Sequence, residues 1–384
     1  MDSGPRIREG SVPSRMDSGP RIREGTDPSR MDGGGVSSGT TNGLVCAHHH
    51  LYSALARGMP PPPNDPGNFL QILENIWWRL DLALDADTIE WSAKLGALEA
   101  LEAGTTAIID HHESPHAIDG SLSIIADACN EVGVRINTCY GITDRHGADG
   151  AERGLAENDR YLTELAARPD DGMRRGMVGV HAGFTCTDDQ LAAAADLAAR
   201  HEVGVHIHVA EGPDDAGVED RIRDLTTDDW MLIHGVFLPD DHGLRGTIVH
   251  NPRSNMNNSV GYANPARFTN PVGLGTDGIG ADMFDEFRLA FVKQRDVDID
   301  ATPDAAWSWL HTNETLFPEV ANDSVTWSYG TIDPWHLAFT PTIRAIDVDI
   351  AGEPALRNGV ATRVDVDEIR AKAAEAAARL HARL

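Results

Sequence analysis

The feature that most constrains this chain is an eightfold alternation of strand-like and helix-like segments. Between residues 43 and 278, short β-branched or apolar runs are followed by Ala/Leu/Glu-rich stretches of helical character. The runs are GLVCAHHH (43–50), TTAIIDHH (105–112), VRINTCYGI (134–142), MVGVHAGFT (177–185), VGVHIHVAE (203–211), WMLIHGVFL (230–238), GTIVHNP (246–252) and PVGLGTDG (271–278). The helical stretches include FLQILENIWWRLDLAL (69–84), WSAKLGALEALEAG (91–104) and TDDQLAAAADLAARH (187–201). Eight strands alternating with helices over about 240 residues point to an α/β fold, a closed parallel (β/α)8 TIM-like barrel. An open doubly wound sheet is the alternative. The first strand lacks the GxGxxG turn that would favour it.

The strand ends carry the chemistry. A majority of the 17 histidines fall at C-terminal ends of these runs, and in a parallel barrel those ends share one rim. The first run ends His48-His49-His50. Side chains alternate along a strand, so His48 and His50 point one way and His49 the other. His206 and His208 repeat the pattern on the fifth run. Two such pairs in one barrel suit a single metal ion. Asp277, in GLGTDG, can add a carboxylate, and a catalytic site of this type keeps a position open for water. Glu211 lies three residues after His208 and could shuttle protons. His234 ends the sixth run and could polarise a substrate carbonyl or imine. His111, His112 and Arg57 lie at or just after strand ends, where they could shape a substrate pocket. Trp77 and Trp78 are adjacent on a predicted helix, about 100° apart, so at most one should face that pocket.

In order, HxH in the first strand, His then Glu in HVAE, His in LIHGVFL, HNPRSN, and Asp in LGTDG resemble the amidohydrolase superfamily. More narrowly they resemble its cytosine deaminase and chlorohydrolase-like group. The strings CAHHHLYSALARGMP, LENIWWRLDLALD, TTAIIDHHESP and GADMFDEFRLA look closest to the SsnA-like aminohydrolases. The resemblance covers about residues 43–300. It implies one zinc, or alternatively iron(II), on His48, His50, His208 and Asp277, with Glu211, His234 and Asp277 in catalysis. Binuclear relatives use a carboxylated Lys at the end of strand four. Here that strand ends at His181, which implies one metal and places His181 beside the substrate. The implied reaction is hydrolysis of a non-peptide carbon–nitrogen bond: deamination of a purine, pyrimidine or similar N-heterocycle through a metal-activated water. Hydrolytic dechlorination, cyclic-amide opening and a catalytically silent homologue are the alternatives.

Relatives usually open with about 50 residues of strand that form half of a small β-sandwich. Here residues 1–15 and 16–30 instead form a near-perfect Pro/Gly/Ser/Arg-rich duplication, expected to be disordered. The sequence therefore divides into a tail (1–35), a barrel (36–312), and a remnant sandwich segment with a C-terminal amphipathic helix over 365–384 (313–384). A reduced or incomplete sandwich would expose barrel surface, and a homodimer could cover it.

Charge and cysteine usage narrow the setting. There are 60 Asp+Glu against 32 Lys+Arg, a net charge of −28, with Lys almost absent. Such a field repels nucleic acid and anionic membranes, and resembles the acidic surface of proteins adapted to high salt. Partners are thus expected to be a small-molecule substrate, with no nucleic acid and no membrane. The four cysteines, Cys46, Cys129, Cys139 and Cys186, form no CxxC pair. Reduced thiols in a cytoplasmic protein are the simplest reading. No apolar run reaches the length of a membrane span or the form of a signal peptide.

Overall fold

The computed structural model describes residues 39–384; the duplicated N-terminal unit lies outside the described residues. Eight parallel strands form the core: β1 (Leu44–His49), β2 (Thr105–His112), β3 (Arg135–Tyr140), β4 (Val178–Ala182), β5 (Val205–Val209), β6 (Met231–His234), β7 (Thr247–His250) and β8 (Val272–Leu274). Parallel pairing joins β1 to β2 to β3, and β4 through β8 in series. Arg174–Gly176 extends β4 backward and pairs with β3. Backbone hydrogen bonds cross both remaining seams. At β8–β1, Thr276 N–H donates to His48 O at 2.9 Å; at β3–β4, His181 N–H donates to Ile142 O at 2.9 Å. The sheet is a barrel, as the alternation predicts.

Helices cover its outside: α1 (Ala86–Glu102), α2 (Ser121–Val132), α3 (Gly147–Ala166), α4 (Asp188–His201), α5 (Pro252–Asn257), α6 (Met283–Val297) and α7 (Pro303–Leu316). Local chemistry sets several boundaries. Asp85 and Thr88 form a reciprocal capping box at the start of α1, and Thr187 with Gln190 does the same for α4. Two details depart from the sequence reading. Among the described residues, the connection from β6 to β7 holds no helix. The helical run at 69–83 is interrupted by a π turn at Leu73–Trp77.

Inside the barrel, Val45, Ala47, Ala107, Ile109, Met231, Ile233 and Val249 form an apolar floor closed by Phe317 and Val320. Histidines occupy the layer above it. Beyond the barrel, Thr40–Thr41 joins β9 (Ser324–Trp327), β10 (Ala345–Ile350), β11 (Glu353–Arg357) and β12 (Val360–Ala361) in one antiparallel sheet. The buried Asp323 fastens this sheet to the barrel. Its carboxylate accepts hydrogen bonds from the Arg135 guanidinium (2.6 Å), the Thr106 hydroxyl (2.7 Å) and the Ala351 N–H (3.0 Å). The C-terminal helix α8 (Val366–His381) begins at an Asp365 cap, in agreement with its amphipathic pattern.

Candidate metal centre and active-site cleft

The strand ends bring six polar side chains to one point. His50 Nε2 lies 3.0 Å and His48 Nε2 3.4 Å from Asp277 Oδ1. His208 Nε2 lies 3.3 Å from His50 Nε2. His234 Nε2 is 3.4 Å from Glu211 Oε2 and 3.9 Å from Asp277 Oδ2.

The backbone aims these groups by means that strict alternation does not contain. In β1 the floor residues Val45 and Ala47 face inward, so uninterrupted alternation would send His48 and His50 outward. A bulge intervenes: Cys46 pairs with Ile108, but His49, three residues on, pairs with Asp110, only two on. The extra residue resets the phase. His48 and His50 then face the centre, while His49 turns away to Thr276, its Nδ1 3.0 Å from the hydroxyl. In β6, Met231 and Ile233 face inward, so alternation would send His234 outward. Its φ of +74° brings the ring back over the centre. Asp277 (φ +53°) and Ala210 (φ +46°), which precedes Glu211, are left-handed too. Non-glycine residues in this region are strained, and such strain concentrates at functional sites. Gly275 allows the close approach at the β8–β1 seam: a Cβ there would sit 2.4 Å from Asn251 Oδ1 and 2.9 Å from the backbone nitrogen of His48.

Hydrogen bonds set the tautomers. His50 Nδ1 donates to the His111 carbonyl at 2.6 Å, and His208 Nδ1 donates to the His181 carbonyl at 2.6 Å. Both Nε2 atoms therefore present lone pairs to each other across 3.3 Å. Such an arrangement needs positive charge between the rings. The buried His48 Nε2 and His234 Nε2 also lack hydrogen-bond partners. Three nitrogens and a carboxylate oxygen, each oriented from behind, match a divalent cation with an open coordination position. His206 supports this layer from below, its Nε2 2.9 Å from His48 Nδ1.

Electrostatics agree. Burial raises the Asp277 carboxyl, but the His48 and His50 rings beside it outweigh burial and hold the group well below the usual range. Burial lowers His50, but Asp277 outweighs burial and raises it. Burial takes His208 down to about 3. Burial, then the Asp277 charge, pushes the Glu211 carboxyl well above its ordinary value.

A partly enclosed cleft opens over the cluster. Its wall is aromatic, with Phe69, Trp77, Trp78 and Phe184, and it also contains His181 and Glu211. Both tryptophans reach it, contrary to the expectation that at most one would. The segment carrying them holds a π turn at Leu73–Trp77. His111 is fully buried beneath the cluster, its ring 4.7 Å from that of His208. His112 bonds Ser114, and Arg57 pairs with Glu99 on the surface. Neither lines this cleft.

The sequence reading missed two groups. One is a buried set at the cleft wall: Asp81 Oδ2 lies 3.5 Å from the Arg145 guanidinium, which also pairs with Glu113. The other is Ser254, Asn255 and Asn258 on and just after α5. The motif HNPRSN contains the first two of these, but not what they touch.

Residues 41–311 match the amidohydrolase family. The chain is 28% identical to the 5'-deoxyadenosine deaminase of Methanopyrus kandleri over 382 aligned positions, covering 88% of this chain and 86% of that protein. It is 29% identical to the 8-oxoguanine deaminase of Pseudomonas aeruginosa, covering 66% and 63% of the two chains. An adenosine deaminase from Xanthomonas campestris with bound zinc superposes with a TM-score of 0.77 at 20% identity, covering 90% of this chain and 87% of that one. The zinc-complexed atrazine chlorohydrolase of Arthrobacter aurescens superposes at 0.71 and 20%, covering 88% of each. At such identities these two structures are likenesses of fold.

Proposed function

Because the chain belongs to the amidohydrolase family, we propose that it deaminates a purine-like N-heterocycle, with one divalent cation, zinc, held by His48, His50, His208 and Asp277. The observation that carries this reading is the pair of Nε2 lone pairs of His50 and His208, facing each other at 3.3 Å beside Asp277. When bound, the cation supplies Lewis acidity that makes a water acidic near neutral pH.

The chain's own groups do the rest. Asp277 Oδ2 is an acceptor for a proton leaving that water. Glu211, whose carboxyl is raised well above its ordinary value by burial and the neighbouring Asp277 charge, donates to a ring nitrogen or the departing amine. His234 accepts at Nε2, because its Nδ1–H is engaged by Asn255 Oδ1 at 2.8 Å. At 3.4 Å from Glu211 it can relay a proton. The aromatic wall takes the flat face of a heterocycle and excludes water. His181, on the same wall, contacts the substrate, and His111 supports the ligand layer from beneath. The reaction consumes water and the amine and yields a carbonyl compound and ammonia.

Several observations bear on the setting. All four cysteines are buried and free, in keeping with a cytoplasmic protein. No helix among the described residues is long and apolar enough to cross a membrane. Exposed Trp335 and Phe339, stacked at 6.2 Å, favour a homodimer that covers them.

The test is ammonia and chloride release by zinc-loaded protein offered 5'-deoxyadenosine, adenosine, 8-oxoguanine and a chlorotriazine. Ammonia from a purine supports the reading, and Asp277→Ala should then abolish turnover and lower bound zinc. Chloride release alone would assign the site to dechlorination. No stoichiometric metal and no hydrolysis would mark a silent homologue.

A further inference from the structure

The short helix α5 follows β7 and ends at the cleft, which Asn258 lines. Pro252 occupies its first turn, and its base is fixed by Arg253, whose Nε lies 2.8 Å from the fully buried Glu286 of α6. From this anchored turn two polar side chains reach two different active-site groups. The Ser254 hydroxyl donates to Asp277 Oδ2 at 2.5 Å. Asn255 Oδ1 accepts from His234 Nδ1 at 2.8 Å. Asn258, one turn beyond Ser254, donates from Nδ2 to the Ser254 oxygen at 3.3 Å.

The polarity of this chain of bonds follows from donor counting. An ionised Asp277 can only accept, so the single Ser254 hydroxyl proton must point to it. The Ser254 oxygen then has lone pairs left for Asn258. Asp277 Oδ2 is held toward α5, and Oδ1 is left facing His48 and His50. On the other branch, Asn255 Oδ1 at 2.8 Å is the nearer partner of His234 Nδ1, ahead of Asn251 Nδ2 at 3.4 Å, so the proton sits on Nδ1 and Nε2 is left as an acceptor. Both groups held this way, His234 and Asp277, have left-handed backbones. Such residues keep their conformation only when their surroundings over-determine it.

We propose that α5 is a positioning element for the catalytic centre: Ser254 holds Asp277 with one oxygen turned to the metal position, and Asn255 fixes the acceptor tautomer of His234. Asn258 backs Ser254 by donating to its oxygen. Ser254 and Asn255, which do not line the cleft, are positioning residues. The assignment rests on the hydrolase reading above for its kinetic arm only.

The test compares Ser254→Ala, Ser254→Thr and Asn255→Leu in the full chain loaded with zinc. Three quantities are read: the rate of zinc loss to a chelator, kcat against KM, and the visible spectrum of the cobalt(II)-loaded protein. Ser254→Ala is expected to speed zinc loss by about 10–100-fold, the usual effect of removing a group behind a metal ligand. Its kcat should fall by a similar factor while KM changes little, and its cobalt spectrum should shift. Ser254→Thr keeps the hydroxyl and should recover most of both. Asn255→Leu should lower kcat and leave zinc loss near that of the parent, because it acts on His234. Thermal midpoints separate these effects from unfolding; if Ser254→Ala does not fold, the Asn255→Leu and Ser254→Thr arms decide. The proposal is overturned if folded Ser254→Ala matches the parent in zinc loss and kcat, or if Asn255→Leu leaves kcat unchanged. If the parent protein releases neither ammonia nor chloride, the functional reading fails, while the zinc and cobalt measurements still decide the role of Ser254.

Discussion

Residues in this barrel carry information at two depths. The rim histidines handle chemistry, and the polar groups behind them decide how they are held. Asp110, on β2, shows the second kind. It is fully buried; its carboxylate accepts the Leu51 N–H at 2.7 Å and the Thr138 hydroxyl at 2.8 Å. Leu51 follows His50 directly, so Asp110 holds the chain just where it leaves the metal position. Burial pushes this carboxyl up to about 6, and the two hydrogen bonds only partly oppose it. The sign follows from linkage. A carboxyl with a raised folded pKa binds more protons folded than unfolded, so it favours the fold at low pH and loses that advantage as pH rises through about 6. The neutral amide of Asp110→Asn keeps an acceptor for Leu51 and offers a donor to Thr138. The variant should gain stability relative to the parent between about pH 4 and pH 7, by up to about 3 kcal/mol. Denaturant titrations at the two pH values measure it; a pH-independent difference between the proteins would refute the assignment.

At the scale of elements, the seam between β8 and β1 is the joint on which the site depends. Thr276 and Asp277 both donate backbone N–H to the His48 carbonyl, at 2.9 and 3.1 Å. This brings the carboxylate of one strand against the imidazoles of the other. Gly275 makes the approach possible, because one of the atoms its missing Cβ would strike is the backbone nitrogen of His48, which has no rotamer to change. Gly275→Ala should cost about 1–3 kcal/mol as an overpacked contact. More specifically, it should separate Asp277 from His48 and His50. Metal analysis of the folded variant should show zinc content well below that of the parent, and full occupancy would rule out this role for the seam. Other parts of the elements were open to sequence reading. The capping boxes at Asp85 and Thr187 and the alternation of His206 with His208 are local patterns, and the structure keeps them. The π turn and the β1 bulge are not local in this sense.

The whole molecule bears a charge of −28. Many of its Arg and Lys side chains are engaged with acids, as in the pairs Arg160–Glu164 and Arg370–Glu102. The acidic excess is left on the surface, where like charges repel across the compact fold. Screening shortens the range of that repulsion from about 10 Å at 0.1 M salt to about 3 Å at 1 M. The thermal midpoint should therefore rise as KCl goes from about 0.1 to about 1 M. A midpoint that falls or stays constant would show that exposed ion pairs outweigh the net repulsion.

The sequence by itself determined the parallel α/β barrel and the residue types at its rim. Both follow from short-range patterning: apolar runs of strand length, helical stretches between them, and His, Glu or Asp at the run ends. The family motifs, in order, then identified the chemistry. Tertiary structure alone decided the orientation of the site. Counted from the floor residues Val45, Ala47 and Ile233, strict alternation would point His48, His50 and His234 out of the barrel. A bulge paired against β2 turns the first two inward, and a left-handed backbone turns the third. Neither is favourable locally. Each is stabilised by contacts with strands and side chains remote in sequence, among them Asp277 and Asn255. The same applies to Ser254, whose partner lies 23 residues away. The metal position that the histidine pattern announces is thus oriented by strain and support that only the folded chain supplies.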